Sequence, residues 1–360
     1  MIVINYGNDI ISNTYESLQA SDIHKYLRRE QKVAIKPNLV VPRPASGGAT
    51  THAEVVEGII IFLQEYGIKD ISIIESAAIG ESTRLGFKNC GYERLAQEYK
   101  VMLFDLKDDR VTHLTHSGYQ LGLCNRALDA DFLINVPVLK SHCQTRMTCC
   151  LKNMKGCIPD SEKRRYHTMG LHKPIAALNA LIKTHYCVVD GICGDLSFEE
   201  GGTPVESKRI IVGANPVLVD SFCAELIGYR PDDIEHLAIA RRLGVGEYYN
   251  EQTEVVSLNT QNKPKQNAKV TRIAERYERL INADSACSVC YSSLIYALYR
   301  LNGRTEDKLF IGQGYRNNDG KDLCAKKTDK CVGIGDCTRG FSCFVPGCPP
   351  KATDIIDFLR

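Results

Sequence analysis

Apolar positions along the first 250 residues follow two alternating rhythms. Short β-rich runs, QKVAIKPN (31–38), KDISIIES (69–76), VMLFDL (101–106), DADFLINVPVLKSH (129–142), YCVVDGI (186–192) and KRIIVGAN (208–215), read as strands. Between them lie stretches of helical period. ATTHAEVVEGIIIFLQEYG (49–67) predicts a helix with Thr50 or Thr51 as N-cap and Gly67 as its stop. ESTRLGFKNCGYERLAQEY (81–99), QTRMTCCLKNMKG (144–156), KPIAALNALIKTH (173–185) and IEHLAIARRLG (234–244) also read as helices. PVLVDSFCAELIG (216–228) opens one with proline in its first turn. Strands alternating with helices predict an α/β domain with a mostly parallel sheet and helices on its faces.

From Asn250 the rhythm fades. SLNTQNKPKQNAK (257–269) is polar and aperiodic, and VTRIAERYERLINA (270–283) reads as a charged amphipathic helix. The last eighty residues hold seven of the sixteen cysteines. The expected organisation is an α/β domain over 1–255 with a ligand cleft, a linker and helix over 256–280, and a cysteine-rich domain over 281–360.

Composition narrows the function. A net charge of +2 gives no electrostatic case for nucleic acid or an anionic membrane. No apolar run is long enough to span a bilayer, and the longest, near Val55–Leu63, is broken by Glu57 and Gly58. The N-terminus lacks the look of a secretory signal, so the expected compartment is the reducing cytoplasm. There the sixteen cysteines should be thiols or metal ligands rather than disulfides.

Cys287 and Cys290 form a Cys-x2-Cys pair before the helical YSSLIYALYRLNG, Cys337 sits in GIGDCT, and Cys348 sits in GCPPKATDIIDFLR. The two prolines after Cys348 suit a helix beginning at that thiol. One tight pair plus two Gly/Pro-flanked cysteines fits a [4Fe–4S] cube. Structural zinc and unliganded thiols also fit, and Cys324, Cys331 and Cys343 compete for the same role.

Strand ends supply a second constellation, because ligands of open α/β sheets bind beyond the carboxyl ends of the strands. Those ends carry Lys36 and Asn38, Glu75, Lys140 and His142, and Asp190. Ser82 and Thr83 follow in GEST, and Lys152, Asn153 and Lys155 add charge and an amide suited to an anionic ligand. Each has a plainer role as a solvated strand end or helix cap. Lys140, His142 and Asp190 are the expected catalytic groups, with His142, His167 and His172 as proton donors. Lys36, Asn38, Glu75, Ser82, Thr83, Lys152, Asn153 and Lys155 are the expected ligand-binding groups. Cys143, Cys149, Cys150 and Cys157 read as buried or spare thiols, with Cys149 and Cys150 expected on different helix faces.

The phrases IKPNLV (35–40), TTHAEVVE (50–57), DFLINVPVLKSH (131–142), LKNMKGC (151–157), VVDGICG (188–194) and NPVLVD (215–220) resemble the domain-of-unknown-function 362 family of iron–sulfur proteins. CSVC, GIGDC and VPGCPP match as well. The resemblance implies a [4Fe–4S] cluster on Cys287, Cys290, Cys337 and Cys348, with Cys331 and Cys343 spare. The expected protein is a cytoplasmic, anaerobic-type oxidoreductase whose cluster exchanges electrons with a small anionic ligand or a ferredoxin-like partner. An electron carrier docking a protein, and a non-redox cluster enzyme of lyase or desulfurising type, are the alternatives.

Overall fold

The computed structural model describes residues 1–199, 201–318, 323 and 331–360. The chain forms two compact units, Met1–Lys163 with His172–Val270, and Arg164–Leu171 with Thr271–Arg360.

In the first unit eight strands make one sheet: β1 (Ile2–Tyr6), β2 (Lys32–Pro37), β3 (Asp70–Glu75), β4 (Met102–Asp105), β7 (Phe132–Val136), β10 (Tyr186–Asp195), β11 (Pro204–Gly213) and β12 (Val255–Leu258). Two hairpins stand apart, β5 (Val111–His116) with β6 (Tyr119–Cys124), and β8 (Lys140–His142) with β9 (Arg146–Thr148). The sheet order is β12-β1-β11-β10-β7-β2-β3-β4. All neighbours are parallel except those of β11, which runs against both β1 and β10. This is the α/β, mostly parallel sheet with flanking helices that the alternating rhythm predicts. The strands read as near-continuous apolar runs because helices cover the sheet, and β1, β7 and β10 are buried at every position. Val33, Ile35, Ile73, Ile134 and Val188 pack with Val56, Ile59 and Leu63 in one core.

Connections from β2 step toward β3, whereas those from β7 step toward β10. The chain therefore reverses direction between β2 and β7, where Lys36 pairs in register with Asn135. Such a reversal opens a crevice at the carboxyl edge of a parallel sheet.

Several boundaries differ from the sequence expectation. Helix Ala53–Tyr66 is capped at His52, not Thr50 or Thr51, because the carboxylate of Asp190 accepts the His52 N–H from a distant strand. Gly67 does end it, at φ +99°. The stretch 81–99 is two helices, Thr83–Asn89 and Tyr92–Tyr99, parted at Gly91. DADFLINVPVLKSH is broken at Pro137, which has no N–H for a ladder, so Lys140 and His142 fall in the separate strand β8. QTRMTCCLKNMKG is β9 followed by the one-turn helix Cys150–Asn153 and a 3-10 turn.

The second unit is built on four parallel strands in the order β13 (Ile281–Ala283), β14 (Lys308–Ile311), β15 (Cys331–Ile334) and β16 (Phe344–Val345). The helix expected over 270–283 shrinks to Ile273–Tyr277, because its end is drawn into β13. Helix Ser288–Arg300 forms as its apolar period predicts, and the last helix spans Ala352–Leu359. That last helix starts four residues beyond Cys348, not at the thiol, and the Cys348–Pro349 bond is cis.

Candidate functional site

Three groups of chemically active side chains emerge, two in the first unit and one in the second, with a buried thiol nest beside the first.

At the reversal point, Lys36 at the end of β2 forms a buried ion pair with Glu75 at the end of β3. Its ammonium also donates to Asn153 Oδ1 at 3.3 Å and to the Pro37 carbonyl at 2.8 Å. Asn153 donates in turn to Asn135 Oδ1 at 2.7 Å, and Asn135 donates to the Cys150 carbonyl at 2.8 Å. Burial raises the pKa of Glu75, while Lys36 and Lys163 pull against it. Gly156 covers the pair. A Cβ there would stand 2.5 Å from both Glu75 Oε1 and Lys36 Nζ, so the backbone approaches as only glycine permits.

A second group centres on His142. Its Nδ1 accepts the Gln144 and Thr145 N–H groups at 3.1 and 3.2 Å, which assigns the proton to Nε2. Nε2 faces Glu199 Oε1 at 3.9 Å. Burial first, then the charges of Lys152, Lys155, Lys140 and His236, hold His142 neutral, with its pKa well below the usual value. Desolvation lowers Lys152 to about 8, against the pull of Glu199. His236 is wholly buried, stacked on His172 at 5.9 Å between centroids, and neither of its ring nitrogens has a hydrogen-bond partner among the described residues. Lys140 donates to the carbonyls of Ala49 and Glu199 at 2.6 and 2.8 Å, tying two loops together.

The remaining predicted residues are spread out. Asp190 is engaged by the His52 backbone, the His52 ring at 2.8 Å and the Ile192 N–H. Asn38 Oδ1 accepts from Val40 N, Ser82 Oγ caps helix Thr83–Asn89, and Thr83 Oγ1 accepts from Ala77 N. Their polar atoms serve turns and caps. His167 belongs to the second unit and His172 to the first. Sequence reasoning missed Asn135, Glu199, His236, Asp220 and Arg316. Asn135 carried a signal as a lone amide inside an apolar strand, and Asp220 closes the quoted phrase NPVLVD.

The thiols of Cys149 and Cys150 lie 3.9 Å apart, correcting the expectation of different helix faces. Cys149 is not helical, at φ −154° and ψ −142°, and so turns its side chain back toward its neighbour.

In the second unit the chemistry gathers beyond the carboxyl ends of the four strands. Cys287 follows β13 as N-cap of helix Ser288–Arg300, with Cys290 one turn on. Gln313 and Arg316 follow β14, Cys337 follows β15 and Cys348 follows β16. Asp336 N donates to the Gly347 carbonyl at 3.0 Å and Gly347 N to Asp336 Oδ1 at 2.8 Å, joining the two cysteine loops. Gln313 Nε2 reaches Cys287 Sγ at 3.6 Å. Arg316 hydrogen-bonds Cys337, and the charges of Cys337, Cys287 and Cys348 raise its pKa. Burial pushes the Cys290 thiol up to about 12, with Cys287, Cys348 and Cys337 adding repulsion. Four cysteines on loops at one edge of one parallel sheet suit a thiophilic metal group, which would let all four be thiolates together. Cys331 is disulfide-bonded, contrary to the expectation that every cysteine is a thiol or ligand, and Cys324 lies outside the described residues.

A model of the family described as domain of unknown function (DUF362) matches residues 33–225. A curated relative, a thylakoid-associated protein of Synechocystis, is 28% identical over 231 residues, covering 61% of this chain and 70% of its own. Among solved structures, the lactate racemase apoprotein of Thermoanaerobacterium thermosaccharolyticum aligns over 99% of this chain and 86% of its own, at TM-score 0.42 and 10% identity. A Thermotoga maritima protein aligns over 51% of each chain at TM-score 0.35 and 17% identity, so the match spans about half its length. Neither structural likeness is close enough to carry an argument.

Proposed function

We propose, for a chain that belongs to the DUF362 family, a metal-binding redox protein whose second unit holds a [4Fe–4S] cluster on Cys287, Cys290, Cys337 and Cys348. One observation carries the reading: the loops bearing these four cysteines leave one edge of one parallel sheet. Such a cluster supplies one-electron chemistry. The protein's part is to hold the sulfurs and set their surroundings. Gln313 donates toward the Cys287 sulfur, and Arg316 offsets thiolate charge at Cys337, both of which favour the reduced state.

In the first unit, the proposed ligand is a small anion near Lys152 and Lys155, as an electron-exchange partner of the protein. His142, held neutral, offers the ligand a hydrogen bond from Nε2–H, because its Nδ1 accepts from two backbone amides. Lys36, Glu75 and Asn153 shape the floor, and Lys140 and Asp190 hold the surrounding backbone. The proposed compartment is the cytoplasm, and no helix among the described residues is long and apolar enough to cross a membrane. The Synechocystis relative is named for thylakoid association, so fractionation is the check on compartment.

Anaerobic purification with iron and sulfide analysis tests the cluster. About four irons per chain and a dithionite-bleached absorbance near ~400 nm are expected. A colourless protein with zinc at these cysteines overturns the reading.

A further inference from the structure

The first unit carries a thiol nest that neither the iron–sulfur reading nor the anion site uses. Cys149, Cys150, Cys187, Cys223 and Asp220 are all fully buried. Ligand atoms of Cys149, Cys150 and Asp220 lie within 4.8 Å of one another. Asp220 and Cys223 sit three residues apart on helix Pro216–Leu226, one face of which meets the turn carrying Cys149 and Cys150. Asp220 fixes that turn, accepting the Cys150 and Leu151 N–H groups at 2.7 and 3.0 Å. Cys223 and Cys187 flank this group, near enough to Cys149 and Cys150 respectively to influence their ionisation.

An independent observation concerns charge. Arg209 on β11 is 1% exposed, its guanidinium donates to Asn267 Oδ1 at 3.0 Å, and its Nε has no hydrogen-bond partner among the described residues. Its pKa is lowered by burial, with Tyr6 and Cys223 acting in the opposite direction. A buried guanidinium without a carboxylate partner needs a nearby anion. Neutral thiols do not supply one, whereas metal-bound thiolates do.

We propose that Cys149, Cys150 and Asp220 are three preset ligands of a buried tetrahedral site for a thiophilic divalent cation of the zinc class, with Cys223, one turn from Asp220 on the same helix, turning in as the fourth, distinct from the C-terminal cysteine set. Tetrahedral zinc with Zn–S bonds of about 2.3 Å sets its sulfurs about 3.8 Å apart. The Cys149–Cys150 separation of 3.9 Å meets that spacing before any metal enters. Three thiolates and one carboxylate leave the complex with two excess negative charges, which Arg209 and the two backbone N–H groups on Asp220 offset. Cys187 donates its S–H to the Cys150 sulfur as an outer partner. Full burial means the cation enters as the chain folds and stays.

The test uses the full iron-containing chain, expressed with added Zn2+, purified anaerobically and dialysed against EDTA, then measured by elemental analysis and by X-ray absorption at the zinc edge, which iron does not disturb. The expected result is one retained zinc per chain with a shell of three sulfurs and one oxygen or nitrogen. Cys149→Ser/Cys223→Ser should lower retained zinc at least tenfold with iron per chain unchanged. Arg209→Gln, which keeps all four ligands, should release zinc faster to chelator. No retained zinc in the parent chain, a four-sulfur shell, or zinc persisting in the double variant overturns the site. Because the parent shell is read without mutation, a double variant that fails to fold still leaves a decision.

Discussion

At the carboxyl edge of the large sheet, Lys36 meets Glu75, Asn153 meets Asn135, and Asp190 meets His52. At the carboxyl edge of the small sheet, the loops carry four cysteines that bear on one another's charge, with Gln313 near Cys287 and Arg316 near Cys337. Both places follow from the same property of parallel strands, which deliver polar loops to one end. In the large sheet, opposite charges and matched donors settle the cost of burial internally. In the small sheet, like groups are gathered, and a bound cation would let them be thiolates together. A polar cluster that satisfies itself points first to architecture, and one that cannot satisfy itself points first to a missing partner.

The comparison breaks most visibly at Cys290. Cys290→Ser should empty the small-sheet site, taking iron from about four per chain to near zero, whereas Cys343→Ser leaves it intact. Iron retained in the first variant, or lost in the second, reassigns the ligands.

Next in size is the pair at the large sheet. Glu75→Gln leaves Lys36 charged and buried, and should cost about 3–5 kcal/mol in urea unfolding. Lys36→Met with Glu75→Leu should recover much of that loss, since neither charge remains. A single variant as stable as the parent would show the pair is not self-contained.

A third difference appears with pH. His142 and His236 are held neutral, with pKa values well below 6.5. Lys152, Lys155, Lys140 and His172 face them as like charges, with Glu199 opposing near His142. The unfolded chain binds more protons than the folded one below 6.5. Their stabilisation is therefore full above that pH and lost as pH falls, at about 1.4 kcal/mol per pH unit for each imidazole. His236→Phe should flatten the slope between pH 7 and 5, and an unchanged slope removes His236 from this account.

The smallest effect has the opposite sign. Asp190 raises the pKa of His52 against the desolvation that lowers it. That contribution is complete below pH 6.5 and disappears as pH rises through the raised value. His52→Gln should cost about 1 kcal/mol at pH 6 and little at pH 9.

Sequence and structure agree where local physics decides. Apolar runs gave β2, β3, β7 and β10, and Gly67 and Pro216 punctuated helices as their backbone chemistry demands. They part where a distant residue intervenes. Nothing near His52 announces that Asp190, 138 residues away, caps its helix. Nothing near Cys149 announces the non-helical backbone that aims it at Cys150. The parallel strands of the second unit escaped notice because β15 and β16 are four and two residues long, too short for a period. Strand-end lysines and acids were legible as a set, but which would pair and which would cap depended on register.

Gly156 offers a last consequence. Its φ is not among the left-handed values of this chain, so alanine is conformationally allowed there, and the three atoms a Cβ would meet first all belong to Lys36 and Glu75. The constraint is thus conditional rather than absolute. Across relatives, positions 36, 75 and 156 should drift as a trio: where the ion pair is kept the third position stays glycine, and where the pair is lost larger residues become admissible. Inheritance at that one position would report whether a relative still carries the buried pair, even where overall identity has fallen too low to align with certainty.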